Sequence, residues 1–183
     1  MSDRRRPCLL ALNLLGYQAV WFAAVAGAGR GLPWVGPVAA LAFTAVTLAL
    51  GGQRAADLRS LALVLPIGFL LDSAFAASGW LRYAQAWPWA GAAPVWIWAL
   101  WVGFALTFNH SLRYLGTRPG LAALLGLLGG PLSYWMAASS FDAVEFGVAP
   151  GWVMIALGLA WAATLPALLV VNRRLVPPGA ALA

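Results

Sequence analysis

The sequence predicts an all-α polytopic membrane protein, a bundle of six transmembrane helices with both termini cytoplasmic. Three observations carry this. The 183-residue chain is 63% hydrophobic and only 9% charged, whereas soluble domains carry roughly 25% charged residues. Its mean hydropathy is +0.84. Six apolar stretches approach the length of about 20 helical residues needed to cross a hydrocarbon core of about 30 Å.

Those stretches run over residues 7–28, 33–50, 58–79, 93–115, 120–141 and 150–172. The first follows Arg4-Arg5-Arg6 and imitates the basic and apolar regions of a secretory signal. Further spans follow without a convincing cleavage site, so it reads as a retained signal-anchor. The second has only Thr44 and Thr47 as polar residues and belongs at the bundle's periphery. The third contains Asp72, the fourth a stripe of Trp96, Leu100, Gly103 and Thr107, and the fifth a central Gly129-Gly130-Pro131. In the fifth, Gly126 and Gly130 have the spacing of close helix packing, repeated by Gly158 and Ala162 in the sixth. Turn chemistry separates the stretches at Gly29-Arg-Gly-Leu-Pro33, Gly51-Gly-Gln-Arg54, Gly116-Thr-Arg-Pro-Gly120 and Ala149-Pro-Gly151. The longest connection, 79–91, carries Trp80, Trp87 and Trp89. Residues 1–183 thus form a single integral membrane domain.

Arginine placement sets the orientation. With a cytoplasmic amino terminus, that side holds Arg4, Arg5, Arg6, Arg54, Arg59, Arg113, Arg118, Arg173 and Arg174, and the other only Arg30 and Arg82. The same scatter argues against nucleic acid as a partner despite a pI near 10.8, because no basic face forms. Trp34, Trp80, Trp87, Trp89, Trp96 and Trp152 fall near the outer ends of their segments. They either anchor the protein at the interface or, in the 79–91 loop, form an aromatic lid over an outward-facing cavity.

Asp72 is the residue most in need of explanation. A carboxylate within a membrane helix costs about 2.5–3.5 kcal/mol on insertion scales, and its own segment supplies no cation. At 1.5 Å per residue, Gln18 and Asp72 fall near the midplane, with Trp21, Ser133 and Tyr134 slightly outward. Pro131 should break the fifth helix and free carbonyls there. Asp72, Gln18, Tyr134, Trp21 and Ser133 are therefore the candidate ligand or proton site, unless Asp72 only holds helices together. A second polar layer of Asn13, Thr107, Asn109, His110, Ser111 and Thr164 lies toward the cytoplasm. His110, the sole histidine, should sit near a helix C-terminus, too far from Asp72 to form an acid–base pair with it.

Other chemistries find no residues to carry them. One cysteine, Cys8, permits neither an internal disulfide nor a multi-cysteine metal site. Haem and di-iron sites need more histidines or glutamates than the chain has. There is no lysine for a phosphate loop, and no serine-nucleophile elbow. No metal or cofactor is expected.

The chain resembles a family of small bacterial inner-membrane proteins known only as a domain of unknown function. The residues that carry the resemblance are Asn13, Gln18, Trp21, Asp72, Pro94, Trp96, Leu100-Trp101, Phe104-Ala105, Thr107, Ser111 and Gly130-Pro131-Leu132-Ser133-Tyr134. The resemblance implies a bacterial inner-membrane location and a role connected with envelope lipid, and no activity.

Two functions follow as expectations. In one, the protein binds or presents an apolar, lipid-like ligand as an accessory to envelope lipid metabolism, with membrane lipids, a lipid-modifying enzyme or a second copy of itself as partners. In the other, it is a small proton-coupled transporter titrating Asp72. The outer half offers Trp21, Trp80, Trp96, Tyr134 and Trp135 with no cation to hold an anionic group, so an acyl chain or isoprenoid fits better than a phosphate. Arg82 alone could meet a headgroup, at the rim.

Overall fold

A computed structural model describes residues 5–175; Arg4 of the arginine asymmetry and the tail beyond Leu175 lie outside the described residues. The described residues form six α-helices: α1 Arg5–Gly29, α2 Val35–Leu50, α3 Arg54–Ala77, α4 Val95–Ala105, α5 Pro119–Phe141 and α6 Pro150–Leu175. A 3-10 turn, Arg113–Thr117, precedes α5. The chain is all-α apart from two three-residue strands, β1 Leu81–Tyr83 and β2 Val144–Phe146. Four helices, α1, α3, α5 and α6, are long and apolar enough to cross a membrane.

The other two are shorter than the sequence predicts. Helix α2 has 16 residues and α4 only 11, which at 1.5 Å per residue gives about 24 Å and about 17 Å. The expected 93–115 helix stops at Ala105, and polar side chains show why. Thr107 Oγ1 donates to its own turn at the Phe104 carbonyl (2.6 Å), Asn13 Nδ2 from α1 to the Leu106 carbonyl (3.1 Å), and Gln53 Nε2 to the Asn109 carbonyl (3.2 Å). The backbone tightens into i→i+3 turns, such as His110 N–H to the Thr107 carbonyl. Side-chain donors thus replace the helical ladder in a buried segment, where non-helical backbone is tolerated.

The proline in α5 has the opposite outcome. No break occurs at Gly130-Pro131, and α5 runs unbroken from Pro119 to Phe141. Ser133 Oγ donates to the Gly130 carbonyl at 2.8 Å, a bond in the next turn; the carbonyl that Pro131 deprives of its donor is that of Leu127. The most extensive helix contact is between α5 and α6. It depends on missing side chains: a Cβ on Gly126 would stand 2.3 Å from the Trp161 carbonyl oxygen, and one on Gly130 2.5 Å from Trp161 Cγ. Helix α2 packs on α1 and α4, away from the α5–α6 pair. The strands pair antiparallel, Arg82 opposite Glu145, and tie the α3–α4 connection to the α5–α6 connection.

Gly126→Val should therefore force α5 and α6 apart. Overpacking of this kind costs about 1–3 kcal/mol, or roughly 5 °C in melting temperature for a chain of this length. Melting in detergent followed by circular dichroism checks this. Gly129→Ala, where a Cβ meets nothing within 4 Å, should melt like the parent.

Candidate functional site

Asp72 lies five residues before the end of α3 at Ala77, so it occupies the last turns of the helix rather than its middle. It is fully buried. Three donors from three elements reach it: the Tyr83 hydroxyl of β1 (2.6 Å) and the Tyr134 hydroxyl of α5 meet Oδ1, and Trp101 Nε1 of α4 donates to Oδ2 (2.6 Å). Burial, and then the adjacent carboxylate, hold the Tyr83 phenol well above its ordinary pKa, so it remains a donor.

The Trp101 ring pinned by Asp72 is one leaf of a stack crossing the bundle. It lies parallel to Trp161 of α6, with centroids 5.0 Å apart and 4° between planes. A Cβ on Gly68 of α3 would stand 2.0 Å from Trp101 Cδ2, so one ring lies on α3 and the other on the glycine face of α5. Parallel rings at this spacing are offset stacks.

The predicted constellation comes together only in part. Tyr134 meets Asp72, and Trp21 and Ser133 join Asp72 and Tyr134 in lining a cavity of about 60 Å³, enough for a few water molecules. Gln18 does not converge on Asp72. It is exposed on α1 and lines an adjoining cleft of about 530 Å³ between α1 and α5. Trp21, Phe104, Ser133 and Trp161 border both spaces. The cleft floor is Leu112 and Leu115 of the segment after α4, and its lining contains no charged side chain. Gln18, Phe22, Leu125, Leu132 and Met136 around it are surface-exposed, so it opens sideways.

The cover over the Asp72 cavity also differs from a tryptophan lid. Leu81 and Tyr83 of β1 and Val144 of β2 point inward and are buried, whereas Trp87 and Trp89 are exposed. Trp96 is not interfacial: it is 1% exposed, with Nε1 donating to the Ala84 carbonyl at 2.8 Å. Trp34 and Trp152 are exposed, as membrane-surface anchors are. Arg82 is engaged with Glu145 across the ribbon at 3.1 Å, with both side chains mostly exposed, a pairing worth little.

At the other end of α3 lies a polar cluster that the sequence reading found by half. Asn109 and His110 belong to the predicted second layer, but their partners Asp57, Ser60 and Asn172 were not singled out. His110 Nε2 lies 3.2 and 3.1 Å from the two Asp57 oxygens. Asn109 Nδ2 donates to Asp57 Oδ1 (3.0 Å) and Ser60 Oγ (2.8 Å), Ser60 Oγ to Asn172 Oδ1 (2.7 Å), and Asn172 Nδ2 to Asn109 Oδ1 (3.0 Å). His110 thus caps no helix C-terminus; it joins the tight-turn segment to α3. Asn13 accepts from Ser111 Oγ at 2.7 Å beside this cluster, and Thr107 is used within its own turn. A signal existed: Asp57, Ser60, Val64, Gly68 and Asp72 recur at helical spacing and are all buried. Tyr83 carried none, since it comes from a loop. Among the described residues, no three His, Cys, Asp or Glu side chains group as a metal site.

These features define a helical membrane protein with two buried polar knots and a lateral apolar cleft. Residues 10–167 match the family described as "Protein of unknown function (DUF2878)", and the chain belongs to that family. No curated protein and no solved structure matches it.

If Asp72 organises this end of the bundle, Asp72→Ala leaves three buried donors without an acceptor, each costing about 1–3 kcal/mol. The variant should melt roughly 10 °C lower or more, and Tyr83→Phe, which removes one donor, should melt only a few degrees lower. Equal melting of Asp72→Ala and the parent in detergent would remove Asp72 from this role.

Proposed function

We propose that this is a six-crossing inner-membrane protein of bacteria, both termini cytoplasmic, that takes an apolar chain from the bilayer into the cleft between α1 and α5. There it holds or presents the chain as an accessory to envelope lipid metabolism. The cleft itself is the observation that carries this reading. Its volume of about 530 Å³ falls within the usual range for ligand sites, about 300–1,000 Å³. Its walls are leucines, glycines and aromatic rings, and its mouth is the lipid-facing flank of α1 and α5.

The topology draws support from how the arginine-bearing ends group. Arg59 reaches the Leu175 carbonyl and Arg173 the Gly116 carbonyl, so the start of α3, the end of α6 and the turn before α5 share one end. Arg82 and the ribbon lie at the other end of α3. Reporter fusions after Arg54, Arg118 and Arg174 should read cytoplasmic, and those after Arg30, Trp87 and Glu145 periplasmic. A periplasmic reading at Arg118 overturns the scheme.

The alternative, proton-coupled transport through Asp72, has less to support it. Both carboxylate oxygens are already engaged by three donors that brace the helices. Asp72→Asn that folds and fully complements a deletion excludes proton coupling.

Chain binding is tested by filling the cleft. Gly129 lines it and has open space above it, so Gly129→Phe should occupy the cleft without straining the fold. Native mass spectrometry of the parent should find a co-purifying neutral lipid or prenyl species. Gly129→Phe should melt like the parent and lose most of that species. Undiminished retention by the variant, or retention of soluble anions alone by the parent, contradicts the reading.

A further inference from the structure

Gln18 stands in the middle of α1 with nothing in the protein to bind. It is 13 residues from the start of the helix and 11 from its end, so about 20 Å and about 17 Å of helix separate it from the two ends. Helix α1 is long and apolar enough to cross a membrane, and the side chain is exposed on it. A carboxamide has two N–H donors and an oxygen that accepts, and among the described residues none of these atoms is hydrogen-bonded. The bundle's asparagines show the contrast. Asn13 binds the Leu106 carbonyl and Ser111, and Asn109 and Asn172 bind each other. At mid-depth in a bilayer no water replaces a missing partner, so a polar side chain held there marks a place where a partner arrives.

The cleft decides what that partner is. Gln18 lines it together with two hydroxyl side chains, Tyr17 and Ser133, and no charged group. Ser133 spends its proton on the Gly130 carbonyl at 2.8 Å, which leaves its oxygen as an acceptor. Two kinds of site therefore remain, donors on the Gln18 amide and acceptors on Gln18 Oε1 and Ser133 Oγ. A group that satisfies both must give a hydrogen bond as well as take one. Esters and ethers only take. A carboxylate or phosphate gives none and brings a negative charge to a lining without a cation. A hydroxyl does both on one atom, so it brings the least polar surface between walls of leucine and aromatic rings.

We infer, resting on the cleft reading above, that Gln18 binds the hydroxyl of a long-chain alcohol whose apolar chain fills the cleft. Bilayers keep such hydroxyls among the headgroups, where water solvates them. A carboxamide at mid-depth lets the hydroxyl leave that layer without losing its hydrogen bonds. It thereby distinguishes an alcohol from an alkane of the same length and from an ether or ester.

The test uses the protein in phosphatidylcholine nanodiscs and three diazirine-bearing probes of equal length: a primary alcohol, its methyl ether and the matching hydrocarbon. Labelling is mapped to α1 and α5. Gln18→Leu keeps the side chain's approximate size and removes its hydrogen bonding. It should melt like the parent, since no bond within the protein is lost. It should raise the alcohol's half-saturation about tenfold, the scale of one net hydrogen bond. Hydrocarbon labelling should be unchanged in the variant, and the ether affected less than the alcohol. Comparing each probe between variant and parent cancels its own partition into the bilayer. A second readout needs no variant: with ¹⁵N-labelled glutamine, the Gln18 side-chain amide signal should shift on adding alcohol and not on adding hydrocarbon. Cleft labelling by alcohol and hydrocarbon that Gln18→Leu leaves equally unchanged overturns the inference while the chain-binding reading stands. Loss of a dimer in Gln18→Leu, seen by native mass spectrometry, also overturns it, because the carboxamide then belongs to a second copy. Failure of every probe to label the cleft overturns the chain-binding reading and the inference with it.

Discussion

The end of this bundle that carries the two strands depends on a carboxylate shared among three chain elements. Asp72 of α3 takes hydrogen bonds from β1, α4 and α5 at once. All four groups are buried, so a lost partner leaves a polar atom unsatisfied and each constrains the others. The consequence reaches beyond the hydrogen bonds. By fixing the edge of Trp101, Asp72 fixes the plane on which Trp161 stacks, and Trp161 is one of the residues that border both the inner cavity and the cleft. Polar satisfaction at one point thereby sets the shape of an apolar space elsewhere.

Glycine placement is the complement of that arrangement. Two indoles can stack across the centre of a helix bundle only where neighbouring helices give up volume. Gly68 does so for Trp101 and Gly130 for Trp161, while Gly126 makes room for the Trp161 backbone carbonyl. The same substitutions of space for side chain bring α5 and α6 into close contact, the familiar basis of helix association where lipid provides no hydrophobic drive. Gly129 lies on the adjoining face, unopposed, and opens onto the cleft. Adjacent glycines in one helix therefore serve opposite ends, one allowing contact and the other keeping a gap.

Much of the helical architecture was legible because it rests on apolar run length and turn residues, which are local. The close-packing role of Gly126 and Gly130 was legible for the same reason, as was the pairing of Asp72 with Tyr134, since both follow from helical depth. What could not be read was non-local. Tyr83 reaches Asp72 only because the 79–91 connection folds back as a strand against residues 144–146. The premature end of α4 depends on donors from α1 and from the α2–α3 turn, and nothing in residues 93–115 alone reveals them. Gln18 was misplaced because depth along a helix says nothing about which way a side chain faces. Asp57 stands one residue before the apolar stretch 58–79, so run length leaves it out, although its spacing from Asp72 is helical.

The two polar knots also differ in what they can tolerate, and this bears on where function resides. The cluster of Asp57, Ser60, Asn109, His110 and Asn172 is closed: its members donate to and accept from one another across α3, α6 and the segment after α4. Such a network specifies one arrangement and resists partial disruption. That segment also supplies Leu112 and Leu115 to the cleft floor, so the closed knot holds one end of the cleft rigid. The knot around Asp72 is less enclosed: its carboxylate takes donors from three elements and stands in the wall of the small cavity. Stability therefore comes from the closed knot, and the Asp72 knot fixes the rings that shape the neighbouring spaces.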